Sequence, residues 1–141
     1  MDIRPLTEDY AVSPQISPED VAQIAAAGYT TLVCNRPDAE NPPELQVAAI
    51  RDAAEAAGLR FVDNPVVGGA ISLDNVSAQG RAITDSAGPV LAYCASGNRS
   101  SIVWALAHAG QRPTDELIAV PARHGYRLEP FRQTIEQLAK Q

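Results

Sequence analysis

The segment that decides the fold is PVLAYCASGNRSSIVWALAHAG, residues 89–110. Its first part, residues 89–93, is a short apolar run that predicts a buried strand, and the run stops at Cys94. A small loop containing Gly97 follows, and a helix is predicted to begin just after Arg99. A strand that passes through a tight turn into a helix is typical of α/β proteins.

The rest of the chain repeats this alternation of strand and helix. Apolar, β-branched runs predict two more strands, at residues 29–34 and 59–67, and the residues up to Val12 are expected to add one or two edge strands. Helical patterns lie between the strands and after them, at residues 17–28, 41–58, 72–87, 100–109, 114–122 and 130–140. The predicted fold is α/β, with a mainly parallel sheet of four to five strands flanked by helices on both faces.

Composition limits the class of protein. A chain of 141 residues with 45% hydrophobic residues predicts a single domain spanning residues 1–141. The net charge of −6 argues against nucleic acid and anionic membranes as partners. Since no stretch approaches the ~20 apolar residues of a membrane span, the expected location is cytoplasmic. The oligomeric state is left open.

The sequence predicts neither a metal site nor a cofactor. His108 and His124, the two histidines, have no partners at metal-ligand spacing, and no phosphate-binding or dinucleotide-binding fingerprint occurs. Cys34 and Cys94 are expected to be free thiols.

The loop between Cys94 and Arg99 combines features that suit a nucleophile and an anion. In a parallel sheet, ligands bind beyond the carboxyl ends of the strands, and Cys94 lies at such an end. Backbone N–H groups at a helix N-terminus attract anions and favour a reactive thiolate, and Arg99 adds a planar cation. Ser100 can donate its hydroxyl to the sulfur. The predicted anion-binding loop comprises Ala95, Ser96, Gly97, Asn98 and Ser100. Alternatively, Cys94 is a buried core cysteine beside an ordinary turn.

Three longer stretches then resemble a known family. They are PQISPEDVAQIAAAGYTTLVCNRPDAE, AAEAAGLRFVDNPV and PVLAYCASGNRSSIVWALA, and they are similar to the DUF442 family, the beta-lactamase-hydrolase-like, phosphatase-like domain. The resemblance implies a dual-specificity-phosphatase-like fold. Members of this family are often labelled sulfurtransferases, and the cysteine–loop–arginine turn is shared by tyrosine phosphatases and by rhodaneses.

Two departures from the phosphatase pattern favour sulfur transfer at this stage. Only four residues separate Cys94 from Arg99, whereas the phosphatase signature has five and rhodaneses have the shorter loop. In the turn NPVVGG, Gly68 stands where dual-specificity phosphatases carry the aspartate that protonates the leaving group. Asp63 and Asp74 flank this position out of register.

The first functional hypothesis is therefore a rhodanese-like sulfurtransferase. Cys94 would take a sulfane sulfur from a small anionic donor such as thiosulfate or a persulfide, and would pass it to a thiol acceptor or to cyanide. The second hypothesis is a cysteine-dependent phosphatase with a shortened loop that acts on a phosphomonoester, with Asp63 or Asp74 as its acid. The third is a non-catalytic module that binds anions or senses thiol redox state.

Three further residues near the site remain ambiguous. Cys34 ends a predicted strand and either resolves a Cys94 persulfide or is a structural thiol. In the segment NRPDAE, residues 35–40, Arg36 and Asp38 either face the substrate or form a pair that holds a turn.

Overall fold

A computed structural model describes residues 1–68 and 70–141. Gly69, the second glycine of the NPVVGG turn, lies outside the described residues. The described residues form a five-stranded sheet with the order β1-β2-β5-β3-β4. The strands are β1 (Arg4–Pro5), β2 (Tyr10–Ser13), β3 (Thr31–Cys34), β4 (Arg60–Asp63) and β5 (Val90–Tyr93).

The sheet is mainly parallel, as the sequence predicts. Only β1 runs antiparallel to its neighbour, and the pairs β2–β5, β5–β3 and β3–β4 are parallel. The prediction of edge strands before Val12 is right for β1 and wrong for β2, which lies between β1 and β5. All four residues of β2 are buried, and a strand covered on both faces belongs inside a sheet.

Helices cover both faces of the sheet, which confirms the predicted architecture. They are α1 (Val21–Ala26), α2 (Val47–Ala56), α3 (Leu73–Thr84), α4 (Asn98–Ala107), α5 (Thr114–Ala122) and α6 (Arg132–Ala139). Side chains alternate across a strand, so neighbouring residues of β5 enter different layers. Ala92 packs in the cluster with Trp104 of α4, and Leu91 packs in the cluster with Ile50 of α2.

The parallel register brings four strand ends to one edge. Tyr93 is aligned with Ser13 on one side and with Cys34 on the other, and Cys34 is aligned with Asp63. The residues that follow these strands, including Cys94, therefore meet at this carboxyl edge. No helix among the described residues has the length and apolar character needed to cross a bilayer.

Candidate active site

Cys94 lies at the bottom of a turn that joins β5 to α4. Its side chain is buried, and the Gly97 N–H donates a hydrogen bond to the Cys94 Sγ over 3.1 Å. Gly97 precedes the first residue of α4 and has a φ of 96°. The sulfur therefore lies at the N-terminal end of a ten-residue helix, where the helix dipole favours negative charge.

Two carbonyl groups of the loop are held away from the sulfur. The Ser96 carbonyl accepts a hydrogen bond from the Tyr126 hydroxyl at 2.8 Å, and the Ala95 carbonyl accepts one from the Gln15 backbone N–H at 3.2 Å. The C=O and N–H of a trans peptide point in opposite directions. Tyr126 therefore fixes the orientation of the peptide whose N–H reaches Cys94.

The loop amides do not all converge as the sequence analysis predicts. The Asn98 N–H donates to the Ser96 hydroxyl at 3.2 Å. The first N–H groups of a helix lack partners within the helix, and the serine side chain two positions earlier supplies one here. The loop amide that the structure shows bonded to the Cys94 sulfur is the Gly97 N–H.

Tyr126→Phe is expected to loosen this loop. Removing the hydroxyl leaves the Ser96 carbonyl without its donor and Arg4 Nη1 without its acceptor. We expect the free energy of unfolding to fall by about 1 kcal/mol, the net value of a hydrogen bond, and sulfate binding to weaken. Urea denaturation and calorimetry measure the two effects. Tyr29→Phe is the control, because Tyr29 precedes β3 at the opposite edge of the sheet; equal behaviour of the two variants would contradict the role of Tyr126.

Arg99 is fixed by a carboxylate that the sequence analysis does not single out. Its Nη1 and Nη2 donate to the two oxygens of Glu40 at 2.9 and 2.7 Å, and Nη1 also donates to the Val66 carbonyl at 2.8 Å. These hydrogen bonds hold the pKa of Glu40 below its ordinary value and raise the pKa of Arg99, which the nearby Cys94 sulfur raises further. Glu40 is therefore charged at neutral pH and competes with any anion for Arg99.

Glu40→Gln is expected to strengthen binding of sulfate to the loop by about fivefold, since an exposed ion pair is worth up to about 1 kcal/mol. In the unchanged protein the same gain is expected only at acidic pH, where Glu40 becomes protonated as the pH falls through its lowered pKa. Titration calorimetry with sulfate measures the affinity. Glu44→Gln removes the same charge from an exposed position nearby and is the control. Weaker binding in Glu40→Gln would mean that Glu40 holds Arg99 in place rather than competing for it.

Ser100 does not direct its hydroxyl to the sulfur, contrary to the sequence-based expectation. Its Oγ donates to the Asn35 side-chain oxygen at 2.9 Å, and the Tyr10 hydroxyl donates to the Ser100 carbonyl at 2.8 Å. Asn35 and Gln79 are fully buried and exchange hydrogen bonds of 2.9 and 3.1 Å. Ser100 thus belongs to a buried polar network that anchors the first turn of α4, since buried polar groups need such partners.

The segment after β3 supports the site instead of lining it. Asp38 accepts a hydrogen bond from the Val47 N–H at 2.8 Å and so caps α2. Arg36 pairs with Glu40, with Nε and Oε1 3.3 Å apart, and not with Asp38. The alternative of a turn held by a pair of Arg36 with Asp38 is therefore wrong, because Glu40 is the acidic partner of Arg36. Glu40 thus contacts both Arg36 and Arg99.

Cys34 lies in the core, in the cluster with Leu91 and Tyr93. Burial raises the pKa of its thiol to about 11, and its Sγ–H donates to the Arg36 carbonyl at 3.3 Å. A thiol that is protonated at neutral pH is a poor nucleophile for disulfide exchange, so these contacts favour the structural interpretation of Cys34.

The two aspartates considered as acids lie outside the loop, one on β4 and one on α3. Asp63 ends β4, which is separated from β5 by β3, and burial raises its pKa. Asp74 is exposed in the first turn of α3. Among residues 1–68 and 70–141, no group of three or more His, Cys, Asp or Glu side chains is placed to hold a metal ion.

Local sequence patterns give little signal for the residues that position the loop. Glu40 ends the NRPDAE segment and is recognisable there only as one more acidic residue. Tyr126 is 30 positions from Ser96, and Asn35 and Gln79 are 44 positions apart. Their contacts depend on the order of the strands, which a local motif does not contain.

The sheet order, the cysteine-bearing turn and the arginine of α4 together define a tyrosine-phosphatase-like and dual-specificity-phosphatase-like fold. A solved structure of PTPMT1 in complex with PI(5)P shares this fold with a TM-score of 0.80 at 12% identity, over 98% of this chain and 94% of that chain. The chain belongs to the family described as beta-lactamase hydrolase-like protein, phosphatase-like domain, whose model matches residues 2–111. The resemblance to DUF442 is confirmed.

Two relatives are more similar in sequence. A beta-lactamase hydrolase-like protein of Xylella fastidiosa (strain Temecula1) is 34% identical over 130 residues, which are 91% of this chain and 30% of that protein. The chain thus spans less than a third of the length of this relative. A crystal structure from Neisseria meningitidis, described as a "putative phosphatase", is 36% identical with a TM-score of 0.84, over 98% of this chain and 99% of the other.

Proposed function

We propose that the chain is a cysteine-dependent phosphatase that hydrolyses phosphomonoesters through a phosphocysteine at Cys94. The observation that carries the proposal is the hydrogen bond of 3.1 Å from the Gly97 N–H to the buried Cys94 Sγ at the start of α4, whose second residue is Arg99. The phosphatase-like family and the Neisseria meningitidis structure support the phosphatase alternative of the sequence analysis better than its sulfurtransferase reading.

The chemistry would proceed in two displacements. The Cys94 thiolate attacks phosphorus, the ester P–O bond breaks, and its electron pair leaves with the alcohol oxygen. Water then attacks the phosphocysteine, the S–P bond breaks, and inorganic phosphate and the Cys94 thiolate are released with one proton from the water. Arg99 and the amide side of the loop would hold the phosphoryl oxygens in both steps.

Glu40 is a poor candidate for a general acid while it is paired with Arg99. The pairing lowers its pKa and keeps it ionised at neutral pH. An ionised carboxylate cannot protonate a departing alkoxide. Esters of acidic alcohols such as phenols, which leave as stable anions, depend least on a general acid.

Sulfur transfer is the second candidate, and the observation that favours it is the spacing of four residues between Cys94 and Arg99. In that case the thiolate would attack the sulfane sulfur of thiosulfate, the S–S bond would break, and sulfite would leave with the electron pair. The persulfide on Cys94 would then give its outer sulfur to cyanide or to a thiolate acceptor.

Two assays on the unchanged protein separate the candidates. One follows release of phosphate from 4-nitrophenyl phosphate, and the other follows thiocyanate formation from thiosulfate and cyanide. Turnover in the first assay alone is the result expected. Turnover in the second alone would replace the proposal with sulfur transfer, and inactivity in both with retained sulfate binding would leave an anion-binding or redox-sensing module.

A further inference from the structure

Gln79 of α3 is a fully buried side chain that the proposed chemistry does not use. A glutamine amide has two N–H donors and one oxygen with two lone pairs. The Gln79 Oε1 accepts hydrogen bonds from the side-chain amides of Asn35 at 2.9 Å and of Asn64 at 2.8 Å. The Gln79 Nε2 donates to the Asn35 Oδ1 at 3.1 Å and to the Tyr10 hydroxyl at 3.0 Å. All four hydrogen-bonding positions of this amide are therefore filled.

One branch of this network fixes the turn that holds Arg99. Asn64 comes directly after β4, and its backbone carbonyl accepts a hydrogen bond from the Asn35 Nδ2 at 2.9 Å. Two residues further on, the Val66 N–H donates to the Asn35 carbonyl at 2.9 Å. The Val66 carbonyl in turn accepts from Arg99 Nη1 at 2.8 Å. The position of that carbonyl therefore depends on the two asparagines that Gln79 holds.

The other branch reaches the residue that follows Arg99. The Tyr10 hydroxyl, which accepts from Gln79, donates to the Ser100 carbonyl at 2.8 Å. The Ser100 hydroxyl donates to the Asn35 Oδ1 at 2.9 Å. Gln79 is thus connected, through one intermediate residue in each branch, to the first turn of α4 and to the carbonyl that binds the guanidinium.

We propose that Gln79 is a positioning residue for anion binding, which fixes residues 64–66 and the start of α4 and thereby orients the guanidinium of Arg99. The network consists of uncharged groups, so it keeps this orientation when an anion displaces the Glu40 carboxylate. A cation that is already oriented binds an anion at a smaller entropic cost. The inference goes beyond the proposed phosphatase function, because it applies to any anion that the loop binds.

Gln79→Glu tests the inference because it keeps the shape of the side chain and removes both N–H donors. The atom facing the Tyr10 hydroxyl and the Asn35 Oδ1 then changes from a nitrogen to an oxygen. Titration calorimetry is expected to show sulfate binding about tenfold weaker, the scale of one hydrogen bond to a charged group. In the Arg99→Lys background the same change should alter binding by less than about twofold. Gln111→Glu, at an exposed position after α4, controls for the added charge.

A second pair of variants decides the question if the Gln79→Glu protein does not fold. Asn75 and Ser72 together cap the start of α3. The Asn75 Nδ2 also donates to the Pro65 carbonyl at 2.9 Å and to the Asn64 Oδ1 at 2.8 Å. Asn75→Ala therefore weakens both the cap and the turn, and is expected to weaken sulfate binding by about threefold. Ser72→Ala removes a hydroxyl from the cap alone and should leave sulfate binding unchanged.

Three results would overturn the role of Gln79. They are unchanged sulfate binding in a folded Gln79→Glu protein, a loss that persists in full in the Arg99→Lys background, and equal binding by the Asn75→Ala and Ser72→Ala proteins. Circular dichroism at the temperature of the titration establishes that each variant is folded. The proposed phosphatase function fails by a different result, the absence of aryl phosphate hydrolysis by the unchanged protein, because sulfate binding requires no turnover.

Discussion

Cys94→Ser is expected to lower the rate of aryl phosphate hydrolysis by about 10⁴-fold or more, the scale of loss when a nucleophile is removed. A serine hydroxyl is far less ionised than a thiol at neutral pH, and the Gly97 N–H that contacts the Cys94 sulfur is a donor and cannot act as a base. Phosphate binding should survive, because Arg99 and the peptide held by Tyr126 are unchanged. Steady-state kinetics and calorimetry measure the two properties.

Cys34→Ser is the matched control for this prediction. It makes the same chemical change at a cysteine whose side chain packs in the core, so the rate per folded molecule should stay within about twofold of the unchanged protein. A large loss of rate in Cys34→Ser, or an unchanged rate in Cys94→Ser, would contradict the assignment of the nucleophile.

Gly97→Ala is expected to lower the free energy of unfolding by about 2–4 kcal/mol and to abolish anion binding. The residue has a φ of 96°, which costs other residues about 1 kcal/mol. A Cβ at this position would also collide with the Tyr126 hydroxyl and lie 2.9 Å from the Tyr126 Cζ. Overpacking of this kind typically adds about 1–3 kcal/mol. The collision pushes Tyr126 away from the Ser96 carbonyl, and the loop peptide loses the contact that orients it.

Gly58→Ala separates the two contributions. Gly58 has a φ of 80°, but a Cβ there would meet no atom within 4 Å. This variant should therefore lose only about 1 kcal/mol from backbone strain. Urea denaturation of both variants measures the difference, and equal losses would show that the Tyr126 contact contributes nothing.

The sequence predicts the framework of the fold because its signals are local. The strand at residues 89–93 and the helix at 114–122 are visible as an apolar run and as a helical pattern, and the structure confirms both. Edge strands are expected in the residues up to Val12, but residues 10–13 lie inside the sheet, because a local pattern does not show which strands flank a segment. The helix predicted at residues 41–58 begins only at Val47. The Val47 N–H donates to the carboxylate of Asp38, nine positions earlier, and the helical pattern does not indicate this contact.

The site was predictable only in part, for the same reason. Cys94, Gly97 and Arg99 are close in sequence, and the structure brings them together at the start of α4. Glu40 reaches Arg99 across 59 positions, and Asn35 reaches Ser100 across 65. Burial of a polar network depends on how strands and helices meet, so no local pattern marks these side chains as partners.

Trapping the covalent intermediate examines the proposed chemistry most directly. The unchanged protein, quenched in acid during hydrolysis of an aryl phosphate, should carry one phosphoryl group on the peptide that contains Cys94, as read by intact-mass and peptide mass spectrometry. Hydrolysis with no phosphoryl group on that peptide would contradict the mechanism. A sulfur adduct on Cys94 after thiosulfate, with no phosphoryl adduct after the aryl ester, would identify the loop as a sulfur carrier instead.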